Sequence, residues 1–279
     1  MQRAERLIEM VRSGIRPAKV DDPPLWQVEK TRFQANLCRV LLLPLGGVLI
    51  LLMKHLRGYR IENMRAIREE FRRIWSDKQR SGRPLLICAN HLTFVDSAII
   101  IWALASNWWY VFNYKSFAWN LPAGDFFKKK LHYHAVLYLT KCIFIDRKGT
   151  AAHKNDVLNL CRYLLAKGNV VLIFPEGQRS REGHFVADRL RFGTGKIIAS
   201  LGNADVLCVY LRSPQQDVFS NYPPKNSHFT MKMKLITPSV EGTSKKQASI
   251  SAVKELGAAI EQMENEFFTE QSLAEARTK

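Results

Sequence analysis

From Leu85 to Leu104 the sequence reads LLICANHLTFVDSAIIIWAL, in which a polar turn separates two apolar runs. The first run predicts a buried strand, and the second, from Ala98, predicts a buried helix. The turn holds His91 and Asp96. On a continuous helix five steps of about 100° would set their side chains roughly 140° apart, so they meet only if His91 lies in the turn and Asp96 in the first helical turn. An imidazole held in one tautomer by a carboxylate is suited to take a proton from a hydroxyl, which favours acyl transfer to an alcohol.

A helix cap is the alternative interpretation of this turn. Thr93 and Asp96 also form the Thr-x-x-Asp pattern of a capping box, in which His91 would be an ordinary loop residue. Taken alone, the pattern favours the cap. The case for a functional site therefore depends on other segments.

Polar residues follow two more predicted strands. Residues 170–174 are typical of a buried strand, and they run directly into the polar loop 175–181. Ahead of them, residues 143–145 predict a short apolar strand that ends in Asp146 and Arg147. Three predicted strand ends therefore carry polar residues, which favours a functional site over a simple cap.

In order and spacing these segments resemble the glycerolipid acyltransferases typified by 1-acyl-glycerol-3-phosphate acyltransferases. His91 and Asp96 match the family's His-x-x-x-x-Asp block. Residues 144–147, FIDR, match its second block, and residues 174–180, FPEGQRS, match its third. The resemblance covers roughly residues 84–211.

The resemblance implies a role for each matched residue. His91 would be the general base and Asp96 its orienting partner. A guanidinium offers a planar fork suited to phosphate or carboxylate, whereas a glutamate would orient an arginine or accept a hydrogen bond from the acceptor hydroxyl. The residues assigned in this way to substrate binding are Arg147, Glu176, Gly177 and Arg179. Lys115 is added to them because, ahead of Leu121 and Pro122, it resembles the family's lysine that precedes a proline-containing loop.

Two departures from the family pattern concern the acceptor. The third block has Gln178 where the family commonly has threonine, and the strand predicted at 206–211 reaches no proline until Pro214. The acceptor therefore stays open between a lysophospholipid, such as 1-acyl-glycerol-3-phosphate, and another hydroxylated lipid. The donor stays open between acyl-CoA and acyl carrier protein.

Composition bounds the fold and the partners. At 279 residues and 47% hydrophobic, the chain is long and apolar enough to bury one large core. We predict one α/β domain at residues 81–279, with a mostly parallel mixed sheet flanked by helices. A helical membrane-associating extension, residues 1–80, precedes it. The formal net charge of +17 favours anionic partners, namely membrane phospholipids and either CoA phosphates or an acidic acyl carrier protein. Nucleic acid is not expected, because no zinc-finger spacing or RNA-recognition signature is present.

Cysteine and histidine usage predicts neither disulfides nor a metal site. The five cysteines include no Cys-x-x-Cys pair, which favours reduced core residues. His132 and His134 are the nearest approach to a ligand pair, and such a pair is more often packed or solvated. We expect no metal and no cofactor.

The uncharged run at 40–53 bears on membrane association. It is shorter than the about 20 residues that a transmembrane helix needs. Pro44, Gly46 and Gly47 predict a bend or helical hairpin that enters one leaflet, with basic flanks at the headgroups and the catalytic part on the cytoplasmic side. A core helix that covers the sheet and a tilted span are the alternatives.

The remaining segments alternate helical and extended patterns. Apolar residues at helical spacing over 61–74 predict an amphipathic helix. A basic amphipathic stretch at 7–15 and the lysines at 128–130 are candidate contacts with lipid or a carrier protein. Further helices are predicted at 156–167, 195–201 and 250–268, and strands at 108–112 and 229–236.

Two function classes follow from the sequence. The favoured one is a membrane-associated acyltransferase in which His91 deprotonates the acceptor hydroxyl and the alkoxide attacks an acyl thioester, without a covalent acyl-enzyme. The other is a non-catalytic, basic membrane-binding protein of the same fold. Loss of lipid acylation on substitution of His91, with membrane binding retained, would distinguish them.

Overall fold

In the part of the chain that the structure describes, six strands form a mixed sheet with helices on both faces. The structure is a computed structural model that describes residues 22–124, 131–240 and 244–278. The strands are β1 (Arg60–Ile61), β2 (Leu85–Ala89), β3 (Trp119–Asn120), β4 (Val170–Ile173), β5 (Asp205–Arg212) and β6 (His228–Ile236). The helices are α1 (Leu25–Leu51), α2 (Met64–Ser81), α3 (Asp96–Leu104), α4 (Asn107–Phe112), α5 (Leu131–Tyr138), α6 (Ala151–Ala166), α7 (Phe192–Leu201) and α8 (Lys245–Thr278).

The strand order confirms the prediction of a mostly parallel mixed sheet in one α/β domain. The order is β1-β6-β5-β2-β4-β3. All neighbours are parallel except β5 and β6, which pair antiparallel. The antiparallel strand β6 is not at the edge, because β1 pairs with its outer side. Residues 60–80, which the sequence assigned to the extension, thus contribute β1 and nearly all of α2 to the sheet and its core.

Alternation along β2 explains why both faces of the sheet are covered. Leu85, Ile87 and Ala89 belong to the core under α2, α3 and α4, whereas Leu86 and Cys88 belong to the core under α6, α7 and α8. All five residues of β2 are fully buried. A strand that is apolar on both faces is typical of a central parallel strand. The five cysteines are also buried and unpaired, as predicted.

The prediction of a strand at 108–112 is wrong, because this segment forms α4. The Ser106 side chain caps the helix by accepting a hydrogen bond from the Trp109 backbone N–H at 3.3 Å. The Trp109 ring packs edge-on against Phe71 and Trp75 of α2. A short apolar run has no periodicity that separates strand from helix, and here the cap and the packing decide.

The strand predicted at 143–145 forms only in part. Isolated parallel bridges join Asn120 to Cys142 and Ala123 to Ile145. The segment therefore runs beside β3 in an extended form without a continuous ladder. The strands predicted at 85–89, 170–174, 206–211 and 229–236 are confirmed, and so are the helices predicted at 61–74, 98–104, 195–201 and 250–268. The helix predicted at 156–167 begins earlier, at Ala151.

Helix α1 runs without interruption through Pro44, so the prediction of a hairpin is wrong. A proline removes one intrahelical hydrogen bond, and the surrounding leucines still favour a helix. One face of α1 packs on the domain, where the Gln34 amide donates to the carbonyls of Tyr138 at 2.8 Å and Cys142 at 2.9 Å. Other faces expose apolar side chains, among them Val40 at 75%.

Among the described residues, the segment Leu25–Leu56 is the one helix long and apolar enough to cross a membrane. An 18-residue stretch within it has a mean hydropathy of 2.1, and 17% of that stretch is buried in the protein. Length and composition alone therefore point to membrane association of this segment. The two other candidate lipid contacts, at 7–15 and 128–130, lie outside the described residues.

Candidate active site

His91 and Asp96 meet in the turn after β2, as the sequence predicts. The His91 Nδ1 lies 3.0 Å from the Asp96 Oδ2. His91 lies in the turn, and Asp96 is the first residue of α3. The Asp96 side chain is 4% exposed and that of His91 is 13% exposed. With Nδ1 bonded to the carboxylate, Nε2 is the ring atom suited to take a proton.

Asp96 also holds the backbone of the turn that precedes α3. Its Oδ2 accepts hydrogen bonds from the backbone N–H groups of Leu92 at 2.6 Å and Thr93 at 2.7 Å. Its Oδ1 accepts the Thr93 hydroxyl. The paired interpretation is therefore confirmed, whereas the capping box forms only in part: Thr93 donates to Asp96, but α3 begins at Asp96 after Val95 and no side chain caps it. The Asp96 rotamer is fixed by several bonds, which in turn fix the imidazole.

The backbone of His91 is held from two neighbouring strands. On one side, the Asn90 side chain donates to the Leu211 carbonyl at 3.0 Å and accepts from the Leu211 N–H at 2.7 Å. On the other side, the His91 N–H donates to the Glu176 Oε1 at 3.0 Å. The Ser180 N–H donates to the His91 carbonyl at 2.8 Å. The turn is therefore fastened to the ends of both β5 and β4.

Phe174 packs against one face of the His91 imidazole. Its ring stacks on that of His91 with a centroid distance of 3.9 Å and an interplanar angle of 13°. The stack covers one face of the imidazole, so a substrate approaches from the edge or the other face. Phe174 belongs to the third matched block, although no pattern in the block predicts this contact.

Glu176 is buried and positions His91 through its backbone. It is 3% exposed, and its bond runs to the His91 backbone. Burial raises the pKa of the Glu176 carboxyl to about 8; the His91 N–H opposes this, and the charges of Glu264 and Asp96 add to it. In the structure Glu176 holds the turn, and the expectation that it contacts an arginine or the acceptor hydroxyl stays a prediction.

Gly177 occupies a position that disfavours a side chain. Its φ is +68°, and its N–H donates to the Phe174 carbonyl at 2.9 Å. A Cβ there would lie 2.9 Å from the Cγ of Arg191. The glycine therefore allows both the tight turn after β4 and the close approach of an arginine.

A cavity of about 620 Å³ opens beside the imidazole, and we call it the cationic cavity. Its wall includes Gly177 and the imidazole of His91. Of the residues described around it, none is acidic. A wall with several positive charges and no negative one is suited to bind a phosphate. Its cationic side chains are Arg147, Lys154, Arg179, Arg191 and Lys196.

Arg179 is held rigidly in this wall. Its Nη1 donates to the Ser220 carbonyl at 3.1 Å and to the Asn221 Oδ1 at 3.0 Å. Its guanidinium lies 3.7 Å from the centroid of the Phe94 ring. Burial lowers the pKa of the Arg179 guanidinium, Asp96 opposes this, and the charge of Arg147 lowers it further. An anion bound between the two arginines would relieve their repulsion.

A second space, which we call the apolar chamber, adjoins the cationic cavity. It has a volume of about 380 Å³ and lies among α1, α3 and α5. Leucines of α1 supply much of its wall. An elongated apolar group placed beside His91 would have room to extend into the chamber. The residues that line both spaces are Phe94, Ser97, Asn120, Leu137 and Cys142.

The structure does not bring Lys115 to this site. Its Nζ donates to the Lys167 carbonyl at 3.1 Å, in the segment that leads into β4. His91 and Glu176 instead follow the carboxyl ends of β2 and β4, which run parallel. Lys115 precedes β3, which is parallel to β4, and so it lies at the amino end. The length of a strand, at about 3.3 Å per residue, separates it from His91.

Three cationic residues of the site had no sequence signal. Lys154, Arg191 and Lys196 are single basic residues on or beside helices, and only the packing of α6 against α7 brings them to one wall. Within the described ranges, no group of three or more His, Cys, Asp and Glu side chains is arranged to hold a metal ion. The expectation that no metal or cofactor takes part stays a prediction.

One comparison bears on this geometry. A family model described as Acyltransferase matches residues 59–212, which is more than half of the chain. The matched range extends from the segment before β1 to the end of β5 and includes all seven site residues predicted from the sequence.

Proposed function

This chain belongs to the acyltransferase family, and we propose that it transfers a fatty acyl chain from an acyl thioester to a hydroxyl of a lysophospholipid, with His91 as the general base. The observation that carries the proposal is the pair of His91 and Asp96, 3.0 Å apart, at a cavity with a cationic wall and an adjoining apolar chamber. A phosphate, a hydroxyl and an acyl chain are the three groups that such surroundings accommodate.

The proposed reaction is a direct transfer. The Nε2 of His91 takes the proton of the acceptor hydroxyl as its oxygen attacks the thioester carbonyl carbon. The new C–O bond forms, the C–S bond breaks, and the departing thiolate receives the proton from the imidazolium. Asp96 stabilises the imidazolium while it exists, because its carboxylate stays bonded to Nδ1.

The acceptor phosphate would bind in the cationic cavity. Arg147 and Arg179 offer planar donors for it, and Gly177 lets Arg191 lie close by. An acyl chain would lie in the apolar chamber beside α1. Because α1 also exposes apolar faces, we propose that the protein works at a membrane, with this domain on the cytoplasmic side.

The test compares wild type with His91→Ala. Each protein is purified and offered long-chain acyl-CoA or acyl carrier protein with a panel of lysophospholipids and other hydroxylated lipids, and the products are identified by mass spectrometry. We expect turnover by wild type and a loss of about 10²- to 10⁴-fold in His91→Ala. His228→Ala, an exposed histidine at the start of β6, serves as the matched control and should keep wild-type turnover.

Two results would contradict the proposal. The role of His91 is wrong if His91→Ala keeps the turnover of His228→Ala. If folded wild type binds lipid vesicles yet transfers no acyl chain from either donor, the non-catalytic membrane-binding protein takes the place of the enzyme.

A further inference from the structure

A second basic concavity, which we call the outer cavity, lies between α6, α7 and the start of α8. Its volume is about 540 Å³. Of the residues described around it, none is acidic. Phe192 also lines it and is 55% exposed, so its ring is accessible to a ligand. The cations of the outer cavity are Arg162, Lys196, Lys245 and Lys246.

Arg162 has an unsatisfied donor at this wall. Its Nε is buried and has no hydrogen-bond partner among the described residues. A buried donor without a partner costs free energy, so such a group in a folded protein calls for an explanation. Because the Nε is enclosed, an anionic oxygen bound in the outer cavity would accept from it only after the side chain rotates towards the cavity.

The outer cavity is connected to the proposed catalytic site. Lys196 of α7 lines both the outer cavity and the cationic cavity. On α6, Lys154 and Leu158 line the cationic cavity, and Arg162 lines the outer cavity. These three residues are spaced by four, so they share one face of the helix. At 1.5 Å per residue they cover about 12 Å along α6, a distance that an extended pantetheine arm spans.

We propose that the outer cavity binds the nucleotide end of acyl-CoA, with the phosphates on the cations and the adenine ring against Phe192. The inference rests on the proposed function, since it names the donor of that reaction. A base stacks readily on an exposed aromatic ring, and clustered cations favour phosphate groups. The thioester at the other end of the arm would then lie beside His91. Acyl carrier protein presents a convex acidic surface without a purine, which fits an aromatic-lined concavity less well.

The kinetic test uses two donors that differ only in the nucleotide, palmitoyl-CoA and palmitoyl-pantetheine. The variants are Arg162→Gln, Phe192→Leu and the double variant Lys245→Gln/Lys246→Gln. We expect each to raise KM for palmitoyl-CoA about five- to tenfold while kcat and the KM for palmitoyl-pantetheine stay as in wild type. Lys254→Gln, an exposed cation further along α8, is the matched control and should change neither KM.

A binding measurement makes the test independent of turnover. Titration of the full-length protein in detergent with adenosine 3′,5′-bisphosphate should show binding that weakens about five- to tenfold in Arg162→Gln and weakens as salt is raised. The inference would be overturned if wild type does not bind this nucleotide, or if the variants raise KM equally for palmitoyl-CoA and palmitoyl-pantetheine.

The outcomes separate this inference from the proposed function. Turnover of palmitoyl-pantetheine that depends on His91, with no effect of the nucleotide, leaves the enzyme in place and removes only the nucleotide site. If the same variants impair transfer from acyl carrier protein and leave palmitoyl-CoA unaffected, the outer cavity belongs to a protein-docking surface, and the inference is wrong.

Discussion

The buried carboxyl of Glu176 should give the protein a measurable pH signature, which Glu176→Gln removes. An unperturbed glutamate titrates near 4.5, whereas burial raises the pKa of Glu176 to about 8 in the folded protein. Between these two values the unfolded chain has released a proton that the folded chain still holds. The stabilisation is therefore complete below about pH 4.5 and is lost as the pH rises towards 8.

The size of the effect follows from proton linkage. One proton difference changes the free energy of unfolding by about 1.4 kcal/mol per pH unit, so Glu176 should account for a fall of roughly 2.5 kcal/mol between pH 5 and 7. Glutamine keeps an oxygen for the His91 N–H and does not titrate. The free energy of unfolding of wild type minus that of Glu176→Gln should fall by this amount, because the other titrating groups are common to both.

Urea unfolding at pH 5, 6, 7 and 8, followed by tryptophan fluorescence, measures this difference. Glu176→Ala provides the contrast, because it leaves the His91 N–H without its acceptor and should be less stable than Glu176→Gln by about 1–3 kcal/mol. A difference between wild type and Glu176→Gln that does not change over this pH range would refute the assignment of a buried, proton-binding carboxyl.

Two further substitutions test the turn and its neighbour. Asp96→Asn keeps the shape of the side chain but cannot stabilise an imidazolium at His91, so kcat should fall by roughly 10²- to 10⁴-fold in the same mass-spectrometric assay; a fall of less than threefold would count against the pair. Gly177→Ala places a Cβ at positive φ and against Arg191, so we expect a loss of about 1–2 kcal/mol in urea and a higher KM for the acceptor. Gly47→Ala, where a Cβ would contact nothing within 4 Å, is its control and should cost no stability; equal losses in the two variants would remove the argument from packing.

The central part of the fold was predictable because its signals are local. A fully apolar run such as Leu85–Ala89 belongs inside a sheet, and the polar turn after it marks where the sheet ends. The strand and the turn need no knowledge of distant contacts, which is why they are confirmed. The pairing of His91 with Asp96 was one of two interpretations of the turn, and it was favoured because polar residues also follow two other predicted strands.

Two of the errors come from features that only tertiary structure decides. An apolar run at 108–112 fits either a strand or a helix, and the Ser106 cap together with the α2 surface selects the helix. Lys115 lies close in sequence to the site segments, but the direction of β3 places it at the other end of the sheet. The error at Pro44 has a local cause instead: Pro44, Gly46 and Gly47 favour a break, but the surrounding leucines favour a helix and the helix continues.

The cationic wall shows the same limit for function. Arg147 and Arg179 were identified because each stands in a matched block. Arg191 and Lys196 stand in no block, and they meet the others only because α7 follows the loop that begins at Glu176. A sequence can therefore indicate the chemistry of a site before it indicates how many charges surround it.

The Asn90 side chain has a consequence for how the catalytic turn moves. Its amide pairs with both backbone groups of Leu211, much as one more residue of β2 would pair with β5. The hydrogen-bonded ladder of the sheet thus extends as far as the residue before His91. Opening of the turn should then require rupture of the sheet end itself, so the turn shares the slow opening of the core strands and not the fast fluctuations of a surface loop.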